Sequence, residues 1–257
     1  MVGSSNSIPV QNMFQHALVS VNQISQYILL ILISSSRYND HHFHYGYILY
    51  ACGILGKLNS TFAEEYGTHV DSIMFDVVYG ENSNSNKAVD FPSFPFTRHK
   101  SWFDGHSFAS GLFAFVDGKS QESSTESINC YYGAYLWSSV RKEQSKDVEN
   151  FARLLLATEI RSVKLYWHMH SDGLGEDVKS DPSIYNPIFA KNLMVGNSAM
   201  TDVTVTTWFG NKPVYVHLIN FMPITAITKE VFDKDYIEEE FNNIMKPIYD
   251  DIEPSWK

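Results

Sequence analysis

Residues 38–47, YNDHHFHYGY, bring one carboxylate, three imidazoles and three phenols into ten positions. On a helix Asp40, His44 and Tyr47 stand at i, i+4 and i+7, so they share one face. Such a face suits the wall of a polar active-site cleft, a metal site, or an ordinary helix start. In the last case Asp40 caps the helix and the histidines form local hydrogen bonds. The segment alone leaves all three interpretations open.

Two glutamates lie in residues 117–137, DGKSQESSTESINCYYGAYLW. Glu122 and Glu126 are four positions apart, and a helix would place these like charges side by side, where they repel. Solvated surface glutamates also pair in this way, so a functional pair and a surface pair are both compatible with the spacing. Three tyrosines follow on the same predicted helix: Tyr131, Tyr132 and Tyr135. They could form a wall that stacks on sugar rings, or they could be ordinary core residues.

Together these groups fit acid–base hydrolysis of a glycosidic bond. One carboxyl must be protonated to donate to the leaving oxygen, and another must be ionised to activate water. Burial and nearby carboxylates raise the pKa of the donor. Between the two clusters His106 follows Gly105, where a flexible loop can present an imidazole.

The histidine-rich segment does not have the spacing of a known metal motif. Only His41 and His44 readily share a helical face, and no HExxH motif occurs. Neither Cys52 nor Cys130 has a CxxC partner, and both lie in apolar patterns typical of buried thiols. We therefore expect no metal ion and no other cofactor, although a structural metalloprotein is a distant alternative.

Composition limits the class of partner. The 257-residue chain carries a net charge of -10 without a basic cluster, so a nucleic-acid partner is not expected. The apolar run at 28–33, ILLILI, is far shorter than the roughly 20 residues of a membrane span. No membrane span is therefore predicted. The first residues also lack the basic and apolar regions of a signal peptide.

Apolar periodicity predicts a mainly α protein with one small β excursion. Residues 201–219 alternate around a Gly-Asn-Lys-Pro turn and predict a short hairpin, with VYVHLI as its second strand. Helices in series favour packed helical hairpins over a βαβ arrangement. Helical spacing covers residues 40–58, 62–79, 106–116, 122–138, 147–168 and 228–250.

Three stretches resemble, in order and spacing, the signature segments of glycoside hydrolase family 81, the endo-β-1,3-glucanases: YNDHHFHYGY, GHSFASG at 105–111 and QESSTESINCYYG at 121–133. A later segment, TWFGNKPVYVHLINFMPIT at 207–225, is similar as well. The resemblance implies an (α/α)6 barrel and inverting hydrolysis of internal β-1,3-glucosidic bonds. It further implies a β-1,3-glucan partner and an extracellular or cell-wall location.

Carried over by motif, the resemblance implies Asp40 as general acid and Glu126 as general base. Glu122 would be a neighbouring acidic residue that assists Glu126, and His44 would act beside Asp40 near the scissile bond. Tyr38, Tyr47 and His106 would bind substrate along the same wall.

The chain also departs from the family pattern. Family members usually carry an acidic residue where this chain has Ser101 and a tryptophan where it has Phe108. We expect these two differences to affect sugar affinity more than chemistry. They also carry an N-terminal β-sandwich and further barrel helices before the first motif. We therefore expect a truncated member: an atypical segment at 1–36 and a partial, incomplete barrel at 37–257. A β-glucan-binding protein with little or no catalysis is the alternative function.

Overall fold

The described part of the chain is built mainly from helices. A computed structural model describes residues 38–80, 94–110, 119–142, 146–170, 184–199, 203–204, 207, 210 and 212–251, all within one compact unit, Tyr38–Lys257. Residues 1–36, expected to be atypical, lie outside the described ranges. The helices are α1 His41–Leu58, α2 Ser60–Glu65, α3 Gly67–Val77, α4 Ser124–Val140, α5 Lys146–Tyr166, α6 Pro187–Ala190, α7 Pro213–Phe221, α8 Thr228–Val231, α9 Lys234–Glu240, the π-helix Phe241–Met245 and α10 Lys246–Asp251.

A small antiparallel sheet of order β1-β2-β3 accompanies the helices. Its strands are β1 Ser120–Gln121, β2 Asn197–Ala199 and β3 Val203–Thr204. Ser120 is paired with Ala199, and Asn197 with Thr204. Because β1 leads directly into α4, the sheet fixes the point from which that helix starts.

Helices α1 and α4 pack against each other at very short range. A Cβ added at Gly46 would lie 2.9 Å from the Cα of Cys130, and one added at Gly133 would lie 2.5 Å from the amide nitrogen of Tyr50. Side chains at these positions would push the helices apart, so glycine is required at both. This contact holds the N-terminal ends of α1 and α4, which carry the predicted catalytic residues, in one place.

The core lies around this helix pair and extends to α3 and α5. Leu49, Met74, Trp137 and Leu155 are fully buried within it. Apolar side chains of this size each contribute roughly 1.5–3 kcal/mol when removed from water. The mainly helical fold predicted from periodicity is therefore confirmed, and the helices predicted at 40–58, 122–138 and 147–168 agree with α1, α4 and α5 to within a few residues.

Two predicted helices are broken in the structure. The pattern at 62–79 divides into α2 and α3, with Tyr66 between them. The pattern at 228–250 divides into α8, α9, a π-helix and α10. Asp233 starts α9 because its side chain accepts a hydrogen bond from the Tyr236 N–H, a local interaction that apolar spacing does not report.

The strand predicted at VYVHLI is wrong, because these residues form α7. Pro213 occupies the first turn, where its fixed φ favours a helix start. Buried Val216, His217 and Asn220 then lie on one helical face. The hairpin that the structure contains joins β2 to β3, earlier than predicted. Residues 201–202, 205–206, 208–209 and 211 of the predicted hairpin lie outside the described residues.

The helix predicted at 106–116 is also wrong over its described part. Residues 106–110 are irregular, and Ser107 forms an isolated bridge with Lys100. The Ala109 N–H donates to the carbonyl of Ser120 at 2.8 Å. The rest of that prediction, 111–116, falls outside the described ranges. No described helix is long and apolar enough to cross a membrane.

Candidate active site

Asp40 stands at the N-terminal end of α1 with its backbone held from both sides. Its N–H donates to the carbonyl of Ala109 at 2.8 Å, and its own carbonyl accepts from the N–H groups of Phe43 and His44 at 2.9 Å. Its φ of 59° lies in the left-handed region, which aspartate tolerates better than most residues. The Asp40 side chain makes no capping hydrogen bond. Its carboxyl is therefore not used to start the helix.

Burial raises the pKa of the Asp40 carboxyl, while the charges of His41 and Arg98 partly lower it. No ion pair joins this carboxyl to another described residue. A carboxyl in this state holds its proton to a higher pH than an exposed aspartate does.

Glu126 lies in the first turn of α4, close to Asp40. Burial raises the pKa of Glu126, hydrogen bonds from Ser123 and Tyr47 lower it, and the charge of Asp40 raises it further. The net shift is upward. Because like charges repel, ionisation of Asp40 makes ionisation of Glu126 less favourable.

Tyr47 of α1 lies beside Glu126, as part of the helix face predicted from the sequence. Burial and then the charge of Glu126 raise the pKa of the Tyr47 phenol, which donates a hydrogen bond to Glu126. His44 is half-buried on this helix, and burial, with the charge of His41, lowers the pKa of its imidazole. Asp40, at the N-cap of α1, and Tyr47, two turns further along, therefore both act on Glu126 of α4.

Glu122 is placed differently from the prediction. It precedes α4, whose N-cap is Ser123, so Glu122 and Glu126 are not side by side on one helix. The Glu122 side chain is half-buried, and its backbone carbonyl accepts from the Asn220 side chain at 3.4 Å. The four-residue spacing was misleading because the helix begins only after the first glutamate.

The start of α4 is anchored by α7 rather than by its own N-cap side chain. The side-chain oxygen of Asn220 accepts from the Ser124 N–H at 3.0 Å and from its hydroxyl at 2.7 Å. The Thr125 hydroxyl donates to the Met222 carbonyl at 2.6 Å. These bonds hold the residues directly before Glu126. No sequence signal indicates them, since Asn220 lies 96 residues from Ser124.

Tyr38 and His106, both predicted to bind substrate, differ in exposure. Tyr38 is 54% exposed, with its ring centroid 6.1 Å from that of His41. His106 is only 5% exposed. Its ring packs edge-on against Trp167 at 4.8 Å. The structure therefore places His106 in a layer behind the surface instead of on the wall expected from its flexible glycine.

A buried ion pair lies behind the site and was not predicted. The Lys100 ammonium is 3.0 Å from the Glu159 carboxylate, and both side chains are fully buried. Glu159 also accepts from the Ser107 N–H, the Ser107 hydroxyl at 2.7 Å and the Ser127 hydroxyl at 2.8 Å. Although burial opposes it, Lys100, with His106 and Ser107, holds the pKa of Glu159 below its usual value. The pair ties α5 to the residue next to Glu126.

A second unpredicted network reaches the N-terminal end of α1 from α3. The Asp76 carboxylate accepts from Arg98 Nη1 at 2.9 and 2.8 Å, and its Oδ2 also lies 2.7 Å from His41 Nδ1. Although burial opposes it, His41 and Arg98 keep the pKa of Asp76 low. Arg98 Nη2 also donates to the carbonyl of Tyr38. The network therefore contacts the chain on both sides of Asp40.

The histidine segment is built for packing and hydrogen bonding. His42 is fully buried, and burial lowers the pKa of its imidazole to about 3. Its Nε2 lies 3.2 Å from the Tyr131 hydroxyl. Among the described residues no group of three or more His, Cys, Asp or Glu side chains is arranged to hold a metal ion. Cys52 and Cys130 are free thiols.

Another part of the surface contains a cavity of about 1070 Å³ between α4 and α5. Tyr132 and Tyr135, predicted as a sugar-facing wall or core, line it together with Arg153 and Arg161. None of the predicted catalytic residues lines this cavity. The paired carboxyls, not the cavity volume, therefore mark the candidate active site.

Comparison with known proteins identifies the family of the chain. The model of the glycosyl hydrolase family 81 C-terminal domain matches residues 17–257. The chain belongs to this family. The family 81 resemblance carried by the three motifs is thereby confirmed. The match begins at residue 17, inside the segment 1–36 that was expected to be atypical.

Two curated family 81 relatives are each 30% identical to the chain. One is the primary septum glucan endo-1,3-beta-D-glucosidase of Schizosaccharomyces pombe, matched over 87% of this chain and 20% of its own length. The other is glucan endo-1,3-beta-D-glucosidase 2 of Saccharomyces cerevisiae, matched over 87% of this chain and 27% of its own length. The chain thus spans about a quarter of the curated relatives that it matches.

A solved structure supports the fold. The family 81 glycoside hydrolase of Clostridium thermocellum, in a mutant form, is similar with a TM-score of 0.67 at 28% identity, covering 87% of this chain and 29% of that one. Together with the helices described above, this similarity supports the predicted (α/α)-type domain.

Proposed function

We propose that this family 81 chain hydrolyses internal β-1,3-glucosidic bonds of laminarin-type glucan with inversion of the anomeric carbon. The observation that carries the proposal is the Asp40–Glu126 pair. The charge of Asp40, at the N-cap of α1, acts on Glu126 in the first turn of α4, and burial raises the pKa of each carboxyl. Carboxyls with raised pKa values that interact in one environment are typical of acid–base sites.

The chemistry assigns one role to each carboxyl. Asp40, protonated because of its raised pKa, donates its proton to the leaving glycosidic oxygen as the bond to the anomeric carbon breaks. Glu126, ionised, removes a proton from the water whose oxygen attacks that carbon from the opposite face. The next substrate cycle requires the proton to return from Glu126 to Asp40 through solvent. The hydrogen bonds from Ser123 and Tyr47 favour the ionised form of Glu126.

The neighbouring residues take supporting roles in this proposal. His44, with a lowered pKa, offers a neutral imidazole beside Asp40 near pH 7. Glu122 adds a negative charge before α4 and assists Glu126. Exposed Tyr38 and half-exposed Tyr47 offer phenol rings to the sugar, since aromatic faces pack well on pyranose rings. In the same proposal, residues 37–257 are the catalytic part and the substrate is met outside the cell or in the cell wall.

A glucan-binding protein without hydrolysis is the second candidate. It is supported by the exposed ring of Tyr38 and the half-exposed ring of Tyr47, which can pack on sugar rings without any bond being cleaved.

Incubation of the chain with laminarin tests the proposal. We expect shorter glucans whose new reducing ends appear first as the α-anomer by proton NMR, because inversion of a β-bond gives α. Asp40→Asn and Glu126→Gln should each lower kcat by about 10²-fold or more, the scale of a lost general acid or base. Laminarin affinity should change little, since neither substitution removes an aromatic contact.

Glu122→Gln is the matched control on the same segment, and we expect a smaller loss. Full loss in Glu122→Gln with activity kept in Glu126→Gln would reverse the choice of base. A β-anomer as first product would exclude inversion. Laminarin binding without cleavage by the unmutated chain would favour the glucan-binding protein.

A further inference from the structure

The turn that carries Asp40 has an unusual backbone. Tyr38 and Asp40 both have a φ of 59°, in the left-handed region. A residue other than glycine is less stable in this region than in an ordinary conformation, and it stays there only where surrounding contacts hold the chain. The Asp40 N–H is held by the carbonyl of Ala109 at 2.8 Å. The other half of the turn needs a separate restraint.

Arg98 supplies that restraint from a different segment. Its guanidinium donates through Nη2 to the carbonyl of Tyr38 and through Nη1 to both carboxylate oxygens of Asp76. The side chain is 8% exposed, so water competes little for these bonds. A planar guanidinium makes both contacts at once in fixed directions, which the single ammonium of a lysine does not.

Asp76 also reaches the opposite side of Asp40. Its Oδ2 lies 2.7 Å from Nδ1 of His41, the residue directly after Asp40. One carboxylate on α3 thus fixes Arg98, which holds Tyr38, and contacts His41. The chain is restrained on both sides of the residue whose carboxyl acts on Glu126.

We propose that Arg98, oriented by Asp76, is a positioning residue that holds the Tyr38–Asp40 turn in its left-handed conformation and so places the Asp40 carboxyl near Glu126. The catalytic consequence rests on the proposed function, whereas the restraint itself does not.

The charge of Arg98 gives this inference a separate readout. The charged or titratable groups that act on Asp40 are His41, the next residue, and Arg98 from the segment after α3, and Asp40 in turn acts on Glu126 of α4. Burial raises the pKa of Asp40, and His41 and Arg98 lower it. Removal of the Arg98 charge should therefore raise that pKa further.

A matched control lies on the same helix. Asp71 of α3 accepts from Nη2 of Arg141 at 2.9 Å, and the Arg141 and Asp71 side chains are 8% and 10% exposed. The Asp71 Oδ1 also accepts from the Trp137 indole at 2.7 Å. This pair resembles Arg98–Asp76 in chemistry and burial, but neither residue is among the groups that act on Asp40. Arg141→Gln and Arg141→Lys therefore measure what loss of a buried arginine pair does to stability alone.

The experiment uses the full 257-residue chain with Arg98→Gln and Arg98→Lys. The Asp40 carboxyl is titrated by ¹³C NMR, with its signal assigned by its loss in Asp40→Asn. We expect Arg98→Gln to raise the Asp40 pKa, and Arg98→Lys, which keeps the charge, to leave it close to the unmutated value. Both should change the amide shifts of residues 38–41 and lower kcat on laminarin by about tenfold or more with KM changed less, as expected of a misplaced group.

Unchanged Asp40 titration and unchanged amide shifts in Arg98→Gln would overturn the proposal. So would failure of both Arg98 variants to fold while both Arg141 variants fold, because Arg98 would then serve stability alone. If only Arg98→Gln fails to fold, Arg98→Lys is the test: changed amide shifts of residues 38–41 would support the proposal, and unchanged shifts would overturn it. The NMR readouts do not need turnover, so an inactive unmutated chain would refute the proposed function and leave this test intact.

Discussion

Two glutamates of this protein, half-buried Glu126 and fully buried Glu159, are in opposite electrostatic states. Glu126 receives hydrogen bonds from Ser123 and Tyr47, and burial nevertheless raises the pKa of its carboxyl. Glu159 is paired with Lys100 and hydrogen bonded by Ser107, and the pKa of its carboxyl is lowered. Burial alone opposes ionisation in both places, so the difference comes from the partners.

The comparison separates a carboxyl that we propose for catalysis from one used to build the fold. Among the described residues no ion pair neutralises Glu126, which leaves its protonation responsive to Asp40 and to substrate. Glu159 stays ionised to a lower pH because of its lysine. The two are linked along α4, since Ser127, next to Glu126, donates to Glu159 at 2.8 Å. The carboxylate of Glu159 thereby supports the helix that carries Glu126, the proposed base.

The largest expected effect tests this difference through stability. Glu159→Gln leaves the Lys100 ammonium buried without its counter-charge, which should lower the free energy of unfolding by about 3–5 kcal/mol. Glu126→Gln removes a carboxyl that burial disfavours when ionised, so at neutral pH the free energy of unfolding should stay equal or rise. Urea denaturation of both variants measures the contrast.

The pH dependence of unfolding sharpens the same comparison, with opposite signs. The folded pKa of Glu159 is lowered, so its stabilisation is present above the unfolded value near 4.5 and is lost as pH falls through the folded pKa. The folded pKa of Glu126 is raised, so its ionisation reduces stability as pH rises from about 4.5 through the folded value. Equal losses of unfolding free energy in Glu159→Gln and Glu126→Gln at pH 7 would contradict the distinction between the two carboxyls.

An intermediate effect is expected at Tyr47, whose hydrogen bond lowers the pKa of Glu126. Tyr47→Phe should raise that pKa, so the acidic limb of the pH profile of kcat/KM should move to higher pH. The loss of kcat at the optimum should stay below about tenfold, the scale of one hydrogen bond. Tyr50→Phe on the same helix is the control and should leave the limb in place. An unmoved limb in Tyr47→Phe would show that Glu126 is not the base.

The smallest effect is expected at an exposed ion pair that shares the chemistry of Lys100–Glu159 but not its burial. Lys142 lies 3.5 Å from Glu64, with side chains 78% and 66% exposed. Glu64→Gln should change the free energy of unfolding by less than about 1 kcal/mol. A loss comparable to that of Glu159→Gln would contradict the view that burial, and not ion pairing itself, sets the cost.

The sequence by itself determined the features that depend on local spacing. Tyr47 lies about two turns into α1, so the helix carries it toward Glu126 once it forms, with Asp40 at the N-cap of the same helix. Apolar periodicity likewise determined α1, α4 and α5 and the mainly helical class. Three motifs were sufficient for the family.

The tertiary structure alone decided which groups meet across long stretches of chain. Lys100 and Glu159 are 59 residues apart, and Arg98 and Asp76 are 22 apart. Their partnership follows from the packing of α3 and α5 and leaves no periodic trace in the sequence. The same holds for Asn220 of α7, which accepts hydrogen bonds from Ser124 at the start of α4. Because the helix starts there, Glu122 lies outside it. A buried charge is stable only with a partner, and a folded chain brings that partner from wherever the packing places it.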